Sequence, residues 1–140
     1  MTLQYRFVDY IPDTIEDGVL YVSIKYCTAI HKCVCGCGNE VVTPIAPTDW
    51  QLTFDGKTIS LFPSIGNWNF KCQSHYWIKR DEIIYAEKWD KTEIHKGRGR
   101  DKKRKKKYYS RNSNNYLIIK WKKIFVNYMK RFPLIIRQWK

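Results

Sequence analysis

At 140 residues the chain is one ordinary domain or a smaller domain with an appendage. It has no apolar run of about 18 residues, and "MTLQYRFVDYIPD" lacks the charged-then-apolar layout of a signal peptide, so a cytoplasmic protein is expected rather than a membrane-spanning or secreted one. The formal net charge of +13 is uneven: residues 1–94 hold 9 Lys+Arg against 12 Asp+Glu, or −3, whereas residues 95–140 hold 17 against Asp101 alone, or +16.

The first ninety-odd residues read as short strands separated by turns. "YRFVDYIPD" and "GVLYVSIKY" carry the β-branched and aromatic residues that favour strands, and Pro12, Asp13, Asp17 and Gly18 mark the loop between them. The second strand is expected to continue through "CTAI", with Cys27 in the core. "WQLTFDGKTISLF" predicts a hairpin around Asp55 and Gly56, a pair suited to a type I′ turn. "SHYWIKRDEIIYAEKW" predicts another, with Arg80 to Glu82 as a looser turn. The predicted fold is mostly β: a small antiparallel sheet of five or six strands over residues 1–94. Residues 95–115 read as a polar basic linker, disordered when alone. Over residues 116–140, Leu117, Trp121, Ile124, Phe125, Tyr128 and Phe132 recur at helical spacing opposite Lys120, Lys123, Asn127 and Arg131, until Pro133 interrupts. That pattern predicts a basic amphipathic helix.

Between these elements lies "HKCVCGCGNEVVTP", which places Cys33, Cys35 and Cys37 at every second position. In a reducing compartment, clustered thiols are metal ligands or reactive groups more often than disulfides. A modest β domain also gains most from a stabilising ion. Zinc takes four ligands, often as two short pairs on separate loops. Cys33 and Cys35, with Gly36 and Gly38 letting the backbone turn, make one pair; Cys72 and His75, spaced C-x-x-H, make the other. The implied site is Cys3His, with Cys37 and His31 as further candidates.

"CVCGCG" is similar to the opening of the SEC-C zinc motif, C-x-C-G-S-G, which implies Cys33 and Cys35 as ligands with Cys37 in the serine position. More broadly, "FVDYIP", "GVLYVSIKYCTAIHKCVCGCGNEVVTP", "DWQLTFDGKTISLFPSIGNWNF" and "CQSHYWI" together resemble a family of small bacterial proteins of unassigned function, across roughly residues 5–90. The family's usual prolines are replaced here by Val34 and Lys71, both beside proposed ligands. The resemblance implies zinc. It also implies a place in a bacterial ubiquitin-like conjugation system, in phage defence, with the ubiquitin-like protein or its E1-like activating and E2-like conjugating enzymes as partners.

These observations favour a non-catalytic adaptor. In "PSIGNWNF", Trp68 either plugs the core beneath the metal or joins Asn67, Trp77 and Trp50 in a recognition surface. The rival is a zinc-dependent hydrolase, with His31, Glu40 or Asp49 moving protons at an open metal position. No H-E-x-x-H is present, and neither is the deaminase H-x-E with P-C-x-x-C. Ser64, Ser74 and His75 lack a G-x-S-x-G elbow and a visible acid partner. The third reading is a nucleic-acid-binding module: Lys102, Lys103, Arg104, Lys105, Lys106 and Lys107 neutralise phosphates while Tyr108 and Tyr109 stack on bases. Packing on the sheet, an anionic membrane and protein docking remain open for the C-terminal helix.

Overall fold

The computed structural model describes residues 1–131, with side chains through Ser113. Eight strands precede one helix: β1 (Gln4–Phe7), β2 (Val19–Ser23), β3 (Thr28–Lys32), β4 (Glu40–Pro44), β5 (Gln51–Phe54), β6 (Ile59–Gly66), β7 (His75–Lys79), β8 (Glu82–Tyr85) and α1 (Lys91–Arg131). The strands form two four-stranded sheets, ordered β1-β2-β3-β4 and β5-β6-β7-β8. Every pairing is antiparallel except β1 with β2, which run parallel.

The expected five or six strands become eight partly because "GVLYVSIKYCTAI" is not one strand. It breaks between Ser23 and Thr28, where Cys27 takes a left-handed backbone (φ 48). Cys27 is accordingly exposed in a turn, not in the core as the sequence suggested.

Alternation along the strands builds the interior. Leu20, Val22, Ala29 and Val41 of the first sheet share one core with Ile59, Leu61, Ile65, Tyr76, Ile78 and Ile83 of the second. The opposite face of β2 and β3 presents Val19, Tyr21 and Ile30, which Ile15 of the β1–β2 connection covers. This explains why all five residues of β2 are buried.

Turn chemistry fixes the second sheet. Between β7 and β8 the turn is tighter than expected: Lys79 pairs with Glu82, leaving Arg80 and Asp81, both at positive φ (50 and 65), as required by a type I′ turn. Asp81 also accepts the Ile59 N–H at 2.8 Å, tying this turn to the start of β6. The β5–β6 hairpin is present but loops through four residues. In it the Asp55 carboxylate accepts the backbone N–H groups of Thr58 (2.6 Å) and Lys57 (2.9 Å), with Gly56 at φ 90. Those donors, Thr58 first, hold Asp55 at a pKa of about 2 against its ordinary 3.8. A carboxylate depressed in the folded state stabilises fully above the unfolded pKa and loses that contribution as pH falls through the folded one. Asp55→Ala is therefore expected to lower the urea midpoint at pH 7. The gap to wild type should close between pH 4 and pH 2, as read by urea titrations across that range.

The chain divides into two units after Lys96. The helix start is specified locally: Asp90 accepts the Glu93 N–H at 2.7 Å and Glu93 accepts the Asp90 N–H at 2.9 Å, a reciprocal capping box. From there α1 runs through residues 95–115, which the sequence suggested were a disordered linker. Lysine and arginine are good helix formers, so charge density alone does not exclude a helix. The backbone stays helical to Arg131, while the side chains proposed for the amphipathic segment, and residues 132–140 entirely, lie outside the described residues. No helix among the described residues is long and apolar enough to cross a membrane.

Candidate functional site

Four thiols converge at one end of the first sheet. The loop leaving β3 turns back on itself: Cys33 N–H donates to the Asn39 carbonyl at 2.7 Å, and Gly36 and Gly38 occupy left-handed backbone (φ 81 and 75). This brings Cys33, Cys35 and Cys37 together with Cys72, all four sulfurs within 4.8 Å of one another. Individual separations are 3.4 Å for Cys33–Cys35, 3.9 Å for Cys33–Cys72 and 3.7 Å for Cys37–Cys72. A tetrahedral ion with metal–sulfur bonds of about 2.3 Å spaces its thiolates about 3.8 Å apart. The cluster can therefore hold a metal ion, and no disulfide competes for its sulfurs.

Donors surround the sulfurs, as thiolate ligands require. Asn67 Nδ2 lies 3.6 Å from Cys33 Sγ, Ser74 Oγ lies 3.1 Å from the same atom, and Asn39 Nδ2 lies 3.2 Å from Cys37 Sγ. The backbone and side-chain amides of Asn39 lower the Cys37 pKa to about 6, towards the thiolate a metal would bind.

The cluster differs from the expected Cys3His set in one member. Cys37 joins the cluster and His75 does not. Side chains alternate along β7, so Ser74 and Tyr76 turn towards the cysteines and core while His75, between them, turns away. His31 is also absent from the cluster. It is fully buried, its Nε2 paired with Tyr76 Oη at 2.8 Å, and burial lowers its pKa to about 4.

Asn67 Nδ2 links this pair to the metal loops, donating to Ser74 Oγ at 2.9 Å and reaching Tyr76 Oη at 3.4 Å. Asn67 is thus an interior residue, at 9% exposure. Among the described residues His31 Nδ1 has no partner, so Tyr76→Phe would strand both ring nitrogens in the core. Its expected cost is about 1–3 kcal/mol, measurable by urea denaturation.

On the other face of β7, His75 is 6% exposed and meets Ser64 of β6, whose Oγ lies 2.9 Å from His75 Nε2. His75 Nδ1 lies 2.8 Å from the backbone carbonyl of Glu87. A carbonyl only accepts, so Nδ1 carries the proton of the neutral ring. Nε2 is then a lone pair facing the serine hydroxyl. The Ser64 O–H donates to it.

Aromatic rings enclose the imidazole. Trp68 and Trp89 stack on each other at 5.4 Å and 13°, with their centroids 4.9 Å and 5.1 Å from His75; Trp77, 38% exposed, lies 5.8 Å away. Trp68 therefore covers the His75 imidazole and does not plug the core. Gly66 is required for this cover, because a Cβ there would lie 2.4 Å from the Trp68 ring. Trp50 packs apart from this group, against the main core.

Sequence reasoning named Ser64 and His75 but discounted them for want of a nucleophile elbow and an acid partner. Strand pairing is what joins them, since Gly66 opposite His75 sets Ser64 diagonally across from the imidazole. The expected nucleic-acid residues, Lys102 to Lys107, lie on α1, where Arg104 and Lys105 engage Asp101 at 2.5 and 3.8 Å.

No curated protein and no solved structure matches the chain. Of the two resemblances seen in the sequence, the broader one meets a named family, and that family carries a protease description in place of an unassigned function. Its model, described as "Bacterial ubiquitination-like system serine protease (BubE)", matches residues 7–86, more than half of the 140-residue chain, and the chain belongs to that family.

Proposed function

We infer that the chain is a serine protease acting on a ubiquitin-like protein or its conjugates, with Ser64 as nucleophile and His75 as general base. The observation that carries this reading is the Ser64 O–H donating to a histidine nitrogen whose tautomer is set by the Glu87 carbonyl. In acyl transfer, Ser64 Oγ attacks the scissile carbonyl carbon as His75 Nε2 takes its proton. The resulting imidazolium, steered by Glu87 O, gives that proton to the leaving group, and water then hydrolyses the acyl-serine by the same steps in reverse order. The tryptophans exclude bulk water from the imidazole, which strengthens the hydrogen bonds that orient it.

Zinc is the ion that best suits four thiolates at tetrahedral spacing, and it would supply a closed structural site. Held by Cys33, Cys35, Cys37 and Cys72, it would lock the loop after β3 to the β6–β7 connection. The backbone from Cys72 through Ser74 leads directly into His75, so those loops help place the base. A cytoplasmic setting in antiviral defence, with the E1-like and E2-like enzymes as further partners, belongs to the same reading.

The test is covalent labelling of the purified chain with an alkyl fluorophosphonate. A single adduct mapped by mass spectrometry to Ser64, and abolished in His75→Gln, supports the protease. Absence of labelling on folded protein favours the non-catalytic adaptor, which keeps the cysteine cluster and the same partners but leaves Ser64 unreactive.

A further inference from the structure

We propose that the first half of α1 binds the phosphate backbone of duplex nucleic acid, lying in its major groove. Residues 97–113 hold nine cations, Arg98, Arg100, Lys102, Lys103, Arg104, Lys105, Lys106, Lys107 and Arg111, against Asp101 alone. The whole stretch is helical. At 1.5 Å per residue it spans about 25 Å, or one positive charge per about 3 Å. That density approaches the duplex's one phosphate per about 1.7 Å of axis.

The distribution around the helix selects the ligand. At about 100° per residue the nine cations leave uncovered an arc of only about 100°, the one holding Tyr108, Asp101 and Asn112. A helix lying on a membrane needs an apolar face opposite its basic one, and residues 97–113 offer only Tyr108 and Tyr109 as large apolar groups. A flat acidic surface would use one side and leave the remaining cations repelling one another. The major groove, about 12 Å wide, matches a helix diameter of about 10–12 Å and has phosphates along both walls. Cations on most of the circumference then all find partners.

Lysines at 102 and 106, and at 103 and 107, are like-charged neighbours one turn apart, which destabilises an isolated helix. A polyanion relieves that repulsion. Arg104, Lys107, Tyr108, Arg111 and Asn112 line a shallow groove of about 400 Å³ along the helix. The contacts run to the backbone, so sequence preference is weak.

The experiment uses the full chain and a fluorescent 25-base-pair duplex, with anisotropy read from 50 to 200 mM KCl. Six contacting cations predict a slope of log affinity against log salt of about −5, and an affinity loss of about 10³-fold across that range. The combined variant Lys102→Gln, Lys103→Gln, Lys106→Gln and Lys107→Gln spares the two cations that engage Asp101 and keeps helix propensity nearly constant. Its slope should be shallower by about 3 to 4, with unchanged circular dichroism. Ser64→Ala should bind as wild type, which separates this inference from the protease reading. The proposal is overturned by absent duplex binding at 50 mM salt or by an unchanged slope in the variant. Equal or tighter binding of the single strand, or of polyglutamate, also overturns it. So does capture by phosphatidylserine vesicles without capture by duplex.

Discussion

Cys33→Ser and Cys72→Ser are each expected to lose the metal and the folded state together. The first removes the sulfur of a residue that is 3% exposed, 3.4 and 3.9 Å from two other thiols; the second removes the thiol that the β6–β7 connection brings to the cluster. A structural zinc site contributes about 10–16 kcal/mol of apparent binding free energy, whereas a whole domain is stable by only about 5–15 kcal/mol. Losing the ion therefore exceeds the margin. Elemental analysis should find one zinc per wild-type chain and none in either variant, and circular dichroism should show no cooperative melt in either. Cys27→Ser is the control. Its thiol is exposed in the β2–β3 turn, away from the cluster, so zinc content and melting temperature should match wild type. Metal-free wild type, or a metal-free variant that still melts cooperatively, would refute the structural site.

The cysteine cluster was legible because its information is local. Three thiols at alternate positions, with Gly36 between the last two and Gly38 just after them, dictate a loop that folds back, and only the fourth cysteine needed tertiary knowledge. The C-x-x-H spacing brought in Cys72, which lies in the cluster, and His75, which does not, for one reason. Spacing measures reach along the chain but not the face of the strand, and β7 begins at His75 itself. Ser74 faces the sulfurs, so His75 cannot.

The Ser64–His75 pair was illegible for a different reason. Between the Leu61–Ile78 and Ile65–Tyr76 pairings the chain advances four positions along β6 but only two along β7. That two-residue slip keeps the faces of β6 but moves the position opposite His75 from Ser64 to Gly66, and nothing in "LFPSIG" announces it. Helix α1 was misread in its first half because a charge run suggests solvation as readily as a helix. The Asp90–Glu93 capping box just upstream was the available correction.

Cleavage of a ubiquitin-like precursor carrying a C-terminal extension should fall about 10³-fold or more in Ser64→Ala and by a similar factor in His75→Gln. The double variant should be no slower than the worse single one. Nucleophile and base act as one unit, so once either is gone the other has no proton to exchange with it, and their effects do not multiply. A merely structural hydrogen bond behaves differently. Removing the Ser64 hydroxyl would then cost about 1 kcal/mol of stability, spread over melting temperature and leaving turnover nearly intact. The two roles separate in one pair of measurements, because Ser64 is half-buried on a sheet face outside the main core and its loss should barely move the melt. Retained cleavage in a well-folded Ser64→Ala would remove the serine from the chemistry. The tryptophan-covered imidazole would then be a packing device, and the zinc-held loops beside it a docking surface for a partner that the chain binds without cutting.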